Sequence, residues 1–355
     1  MKGLILSGGH GTRLRPLTYS QQKQLIPVAN KPILFYAIED LIAAGIQEIG
    51  IVVGPNREQI IEAISAIKFN ADISFIYQSA PKGLAHAVLI SEEFIGDDPF
   101  IMYLGDNLIK GGITKYVEYF NKVETDTSIL LSQVKNPTQF GVAELNEDGS
   151  VKKLIEKPKI PPSNLALVGV YLFRQPIFEA AKKIKPSWRN ELEITEAIQY
   201  LIDNNFRVTY EIIKGWWKDT GKPEDIIEAN QLILDELVPY NEGILEEGVQ
   251  LKGRVAIGEN TIIKNGCTIK GPVIIGKCCD IGPDTYIGPY TSVGNNCSIK
   301  RAEIESSIIM DGTEINYDGR IVDSLVGRDA KIRGRNNLPT GNRLILGDNS
   351  RVEIG

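Results

Sequence analysis

Two hydrophobic rhythms divide the chain. Up to about residue 235, short apolar runs alternate with amphipathic stretches. Leu4-Ile5-Leu6, Ile49 to Val53, Ile73 to Tyr77 and Phe100 to Leu104 read as buried strands, and Pro32 to Ala44, Arg57 to Ile67 and Leu84 to Phe94 read as the helices between them. Pro32 suits a first helical turn and Gly45 a C-terminal cap. Such alternation predicts an α/β unit built on a Rossmann-like, mostly parallel mixed sheet, with ligands beyond the carboxyl ends of its strands. From Ser128 to Phe173 strands and turn signals (Asn136-Pro137, Asp148-Gly149, Pro161-Pro162) predict a mixed insertion able to wall a pocket. Helices return at Ile177 to Lys183, Ile194 to Asp203 and Pro223 to Leu237.

Beyond Val238-Pro239-Tyr240, where proline cannot continue a helix, the period becomes six. Aliphatic residues stand at Leu245, Leu251, Ile257, Ile263, Ile269, Ile275, Ile281, Ile287, Val293 and Ile299, each usually followed four residues later by a small or β-branched one. This is the pattern of a parallel β-helix of the left-handed hexapeptide kind, one hexad to a face, with the aliphatic residue stacked inward. The register fades after Ile299 and returns at Val326, Ile332, Leu346 and Val352, which predicts irregular coils or a cap there. The expected organisation is a first domain over 1–237, a linker over 238–244 and the β-helix over 245–355.

Composition narrows the function. Hydrophobic residues are 43% and charged residues 24%, which fits a globular chain and excludes a disordered or fibrous one. No apolar run approaches the roughly 18 residues of a membrane span, so the expectation is a cytoplasmic protein with no membrane partner. A net charge of −6 argues against a nucleic-acid partner. The four cysteines form no C-x-x-C pair, and Cys267, Cys279 and Cys297 fall on the small inward position, where packing is their expected role. Adjacent Cys278 and Cys279 are expected on opposite faces of a strand. Yet residues 1–38 hold Lys2, Arg13, Arg15, Lys23 and Lys31 and no carboxylate, so this acidic protein opens with a segment suited to an anion.

After the first strand, Gly8-Gly9-His10-Gly11-Thr12-Arg13 is a loop whose amides are able to hold phosphate oxygens, although a tight structural turn accounts for the glycines equally well. It matches neither the Walker pattern nor the dinucleotide pattern, because Leu14 stands where a third glycine would be. Arg13 and Lys23 are cations suited to a triphosphate. Leu6-Ser7-Gly8-Gly9, Gly11-Thr12-Arg13-Leu14, Lys23-Gln24-Leu25 with Pro27, and Asn30-Lys31-Pro32 together resemble the signature of the sugar nucleotidyltransferases. The resemblance continues through Gln78 to Ala87, Leu104-Gly105-Asp106-Asn107, Phe140-Gly141-Val142, Glu156-Lys157-Pro158, Glu191 to Thr195 and Lys218-Asp219-Thr220-Gly221. Within that family the chain resembles the long form of the glucose-1-phosphate thymidylyltransferases, which also carries a hexapeptide-repeat tail.

The resemblance implies transfer of a nucleotidyl group from dTTP to glucose 1-phosphate, giving dTDP-glucose and pyrophosphate. A UTP-dependent uridylyltransferase is the alternative, since thymine and uracil differ by one methyl group. It implies nucleotide contacts from Leu6, Gly8, Gly9, Gly11, Thr12, Gln24, Gln78, Pro81 and Gly83, and a sugar-phosphate pocket of Asn107, Gly141, Glu156, Lys157, Val168 and Tyr171. Asp106 and Asp219 are implied as ligands of Mg2+, and Arg13, Lys23, Lys157 and Asp106 as the catalytic set. A helix cap is the competing role for Asp219. Hexapeptide acyltransferases usually rely on a histidine base, and no histidine follows His86, so an acetyltransferase reading of the tail is disfavoured. A non-catalytic sensor of sugar nucleotides would show the loss of a metal ligand or phosphate cation, and none is lost. His10 is expected to be a variable loop residue, and Trp216 and Trp217 to pack near the site. The stacked coils are expected to support homo-oligomers.

Overall fold

The computed structural model describes residues 1–9, 11–334 and 347–353. These fall into two compact units, one of residues 1–9 and 33–219 and one of residues 11–32 and 220–353. Among the described residues no helix is long and apolar enough to cross a membrane.

In the first unit the strand Lys2–Ser7 is buried from Gly3 onward, which suits a strand covered on both faces. It pairs in parallel with Glu48–Val53 on one side and Phe100–Leu104 on the other, and Asp72–Tyr77 adds to the Glu48–Val53 side. At Phe100–Leu104 the direction changes. Leu165–Phe173 runs antiparallel to it and recruits Thr127–Gln133 and Gly141–Leu145, the latter paired to Val151–Glu156. Val208–Ile212 then lies parallel to Thr127–Gln133. The predicted insertion is therefore the second half of one mixed sheet. Phe100 anchors the core beneath it, with its ring 5.4 Å from Phe173 and 5.5 Å from Phe178. Two helices differ from expectation. The run Leu84 to Phe94 breaks into Leu84–Ile90 and Glu92–Ile95 at Ser91, whose hydroxyl donates to the Ala87 carbonyl (2.8 Å) in competition with the helical ladder. Thr114–Lys122, which the strand-and-helix reading passed over, is a helix burying Tyr116, Val117 and Phe120.

The second unit holds the helix Pro223–Leu234 and the β-helix. One parallel sheet stacks Val255–Ile257, Val273–Ile275, Thr291–Val293, Ile308–Ile309 and Leu325–Val326, with Ile257 over Ile275 over Val293. Three hexads make one coil, and the inward isoleucines from Ile257 to Ile299 are fully buried. In the first coil Leu245 and Leu251 are 37% and 36% exposed, because a first coil has a neighbour on one side only. The register does not fade after Ile299. Ile299, Ile304 and Ile309 are fully buried, and Ile315 and Val326 follow in the same inward stack, so two faces are five residues long and the coil shortens without losing its core. Counting strict sixes loses phase there, and the expected irregular coils are ordinary ones as far as Ile332. Leu346 lies outside the described residues, and Val352 is exposed. Cys267, Cys279 and Cys297 are buried as expected. Cys278 is exposed because the chain turns a corner at its left-handed φ of 56°, not because a strand alternates its faces.

Residues 11–32 end in a small hairpin, Pro27–Val28 against Lys31–Pro32, closed by Ala29 and Asn30 with φ of 47° and 63°. Two left-handed residues in a two-residue loop fit the right-handed strand twist, although an alanine there costs about 1–2 kcal/mol.

Candidate active site

The parallel strands of the first unit deliver their carboxyl ends to one edge. Leu6 and Gly8 leave the central strand, and the Leu6 carbonyl accepts from Gly105 N at 3.0 Å. A β-carbon on Gly8 would stand 3.2 Å from Gln78 Oε1, and one on Gly54 would stand 3.1 Å from the Gly8 carbonyl, so three chain segments meet here with no room for side chains. Gly9 follows exposed, and His10 lies outside the described residues. Gln78 is 7% exposed and its Nε2 donates to His86 Nδ1 at 2.9 Å. Burial, together with Lys82, holds the His86 imidazole below the ordinary histidine range, so it stays neutral and able to accept that proton. Gly83 has φ of 101°, and a β-carbon there would strike the Leu192 backbone at 2.4 Å. Leu192 in turn accepts from Ala85 N and donates to the Lys82 carbonyl, which zips the exposed loop around Pro81 to the Glu191–Glu193 segment.

Asp106 follows strand Phe100–Leu104, and Asn107 opens a short ladder, Asn107–Ile109 against Trp217–Asp219. Its register sets Asp219 opposite Asn107 and so brings together two carboxylates separated by more than a hundred residues in sequence. A relay of side chains supports them. Trp217 Nε1 donates to Asn107 Oδ1 (2.6 Å), and Asn107 Nδ2 donates to Asp106 Oδ1 (3.0 Å). Asp219 belongs to this strand and is not the cap of the helix Pro223–Leu234, a position Lys222 occupies. The donor set fits magnesium, which takes one or two protein carboxylates and completes its octahedron with phosphate and water. Among the described residues no group of three or more metal-ligating side chains offers an alternative centre.

The residues expected to meet the sugar phosphate lie together on the same sheet. Val168 is fully buried, and a β-carbon on Gly169 would lie 3.2 Å from the Asn107 side chain. Glu156 pairs in register with Gly141, where a β-carbon would stand 3.3 Å from Glu156 Oε2. Lys157 leaves the strand with a left-handed φ of 42°, its N–H held by the Phe140 carbonyl (3.0 Å), while the Phe140 ring packs 5.1 Å from Trp217. Tyr171 stacks on Phe173, its phenol pushed upward by burial and by Glu156. Sequence reasoning missed Arg189 and carried Glu193 only within the Glu191 to Thr195 stretch, with no role assigned. Arg189 reaches Glu156 (3.6 Å), Glu193 (3.4 Å) and Glu191 (3.0 Å), and the buried Glu193 also accepts from Ser187 Oγ (2.8 Å). Burial raises the Glu156 carboxyl and Glu193 raises it further, while Lys157 and Arg189 pull it back. The only local signal was an acidic pair at 191 and 193 just after an arginine.

Gly11, Thr12, Arg13, Lys23 and Gln24 belong to the second unit. Gly11 has φ of 60°, and a β-carbon on it would stand 2.9 Å from the Lys23 stem. Its carbonyl accepts from Thr18 Oγ1 (2.8 Å), and Leu14, Leu25 and Ile26 bury the segment's apolar side. Thr12 and Arg13 are exposed, and Arg15 stacks on the Tyr19 ring at 4.9 Å. Gln24 is 1% exposed with Oε1 lacking a hydrogen-bond partner.

Residues 2–236 match the family model described as nucleotidyl transferase, and residues 269–354 match a GMPPB C-terminal domain. The chain is 49% identical to a glucose-1-phosphate thymidylyltransferase of Streptomyces antibioticus, across 100% of this chain and 99% of that one. It is 46% identical to a low-salt glycan biosynthesis nucleotidyltransferase of Haloferax volcanii, across the whole of both chains. A solved structure of UDP-glucose pyrophosphorylase complexed with UDP-glucose superposes with a TM-score of 0.60 at 29% identity, covering 66% of this chain and 98% of that one.

Proposed function

The chain belongs to the nucleotidyl transferase family, and from that premise we propose that it joins dTTP to glucose 1-phosphate, giving dTDP-glucose and pyrophosphate. The observation that carries the reading is the junction at Asn107. There Asp106 and Asp219 flank the residue whose side chain packs on Gly169 of the strand Leu165–Phe173, on the edge where Gly8 and Gln78 also emerge. A phosphate-bearing sugar and a metal-bound triphosphate are the ligands that such neighbours suit.

In this reading a phosphate oxygen of the sugar phosphate attacks the α-phosphorus in line, and the bond from that phosphorus to the bridging oxygen breaks, releasing pyrophosphate. The attacking oxygen is already anionic, so no protein nucleophile or general base is required. Lys157 lowers the repulsion between the two phosphates, and its left-handed backbone turns it off the strand direction. Glu156, steadied by Arg189, accepts from sugar hydroxyls beside Gly141 and Tyr171. Gln78, oriented by His86, reads the pyrimidine edge, with Gly83 leaving space for the ring. Gly8 and Gly9 offer amides to phosphate oxygens, and within residues 11–32 Gly11, Arg13 and Lys23 are the groups suited to the same chemistry. Asp106 and Asp219 would hold Mg2+, which when bound supplies charge to offset that of the phosphates.

Pyrophosphate release with glucose 1-phosphate and Mg2+, compared across dTTP, UTP, dATP and GTP, tests the assignment. The expected outcome is release led by dTTP and reduced at least about 10²–10³-fold by Asp106→Ala, the range for losing one charge-stabilising group. UTP leading would make the chain a uridylyltransferase, and no release with any triphosphate would overturn the reading.

A further inference from the structure

Asn230 lies inside the helix Pro223–Leu234 and is 1% exposed. A buried amide in a helix is tolerated only when its polar atoms are occupied, and these are. Its Oδ1 accepts from Ala29 N (2.8 Å) and from Ser292 Oγ (2.6 Å), while its Nδ2 donates to the Tyr290 carbonyl (3.0 Å). One residue along the hairpin, Asn30 Nδ2 donates to the Val293 carbonyl (2.6 Å). Both tip residues of the hairpin, left-handed and therefore unfavourable by themselves, are thus gripped by the helix and by consecutive positions of one β-helix coil. Further back in the segment the buried Gln21 Nε2 and Gln24 Oε1 have no hydrogen-bond partner, whereas both tip residues of the hairpin are held.

We propose that Asn230 is a positioning residue, through which the coil at Tyr290–Val293 holds residues 11–32 in the shape that receives the triphosphate. The β-helix then has a part in the reaction without contributing a group that touches substrate. The proposal rests on the function above for what the segment binds, but the anchoring itself is independent of turnover.

The test uses the full chain with Asn230→Ala and, separately, Ser292→Ala, which removes only the coil's hydroxyl from Asn230 Oδ1. Amide hydrogen exchange is followed in peptides spanning residues 22–32, and KM is measured for dTTP and for glucose 1-phosphate. Asn230→Ala is expected to speed exchange in those peptides and to raise KM for dTTP about five- to thirtyfold, the effect of one or two buried hydrogen bonds, with KM for glucose 1-phosphate unchanged. Ser292→Ala should give the same pattern at smaller size, and it carries the test alone if Asn230→Ala does not fold. Unchanged exchange over 22–32, or a lowered Tm with both KM values intact, overturns the proposal. If the unaltered protein does not turn over dTTP, the assigned function falls, while the exchange measurement still decides the anchoring.

Discussion

The two units bury polar side chains in opposite ways. In the β-helix the buried Thr261, Thr285 and Thr313 repeat one solution, donating to the Gly276, Ile299 and Gly327 carbonyls of the next coil. In the sheet unit three polar side chains of the candidate site use three different solutions. Gln78 uses a histidine, Asn107 links an indole to an aspartate, and Glu156 shares an arginine with Glu193. A repeated solution is a packing device that any coil can adopt. A unique one fixes a particular atom in a particular place, which is what chemistry requires.

The comparison breaks if a substitution in the repeated inward stack alters the reaction. Ile281→Ala empties a fully buried seat between coils and should cost about 2–5 kcal/mol of stability, read by denaturant unfolding, while kcat and both KM values at 25 °C stay as they were. A changed kcat would mean that this seat serves the site as well as the stack. Next in size is Trp217→Phe, which keeps an aromatic ring beside Phe140 and removes the indole N–H to Asn107 along with part of the ring system. It should raise the Mg2+ concentration for half-maximal activity about 10–100-fold, the usual consequence of removing a group that orients a metal ligand, with little change in Tm. An unchanged magnesium dependence would reduce the Trp217–Asn107–Asp106 relay to packing. The smallest effect sharpens the electrostatic side. Because the folded Glu156 carboxyl is raised, the folded chain keeps a proton that the unfolded chain has already released, and stability falls as pH rises through that window. Glu156→Gln should therefore leave Tm unaltered at about pH 3, below the ordinary glutamate range, and raise it at pH 7. An equal effect at both pH values would assign the difference to shape and not to charge.

What could be read in advance followed the same division. Six-residue spacing made the coils visible from Leu245 to Ile299, because one residue type recurs at one position. The shortened faces at Ile304 and Ile309 escaped because a fixed period has no room for a missing residue. In the sheet unit the strands were visible as apolar runs, and the helix Thr114–Lys122 was available in the spacing of Tyr116, Val117 and Phe120. The site was legible only in pieces. Asp106 and Asp219 were named from a resemblance, but their neighbourhood depends on a strand pairing that no local pattern specifies. Arg189 escaped, and Glu193 went without a role, because what marks them is the partner Glu156, more than thirty residues earlier.

The grip on Asn30 has a consequence for the order in which the protein is made. The asparagine and the carbonyl it binds are separated by 263 residues, so a ribosome adding about 5–20 residues per second delivers the anchor roughly 13–50 s after the segment it holds. The central strand of the sheet needs only the chain as far as Leu104 to find both its neighbours. The hairpin at Ala29 and Asn30 is thus made well before the coil whose carbonyl holds it.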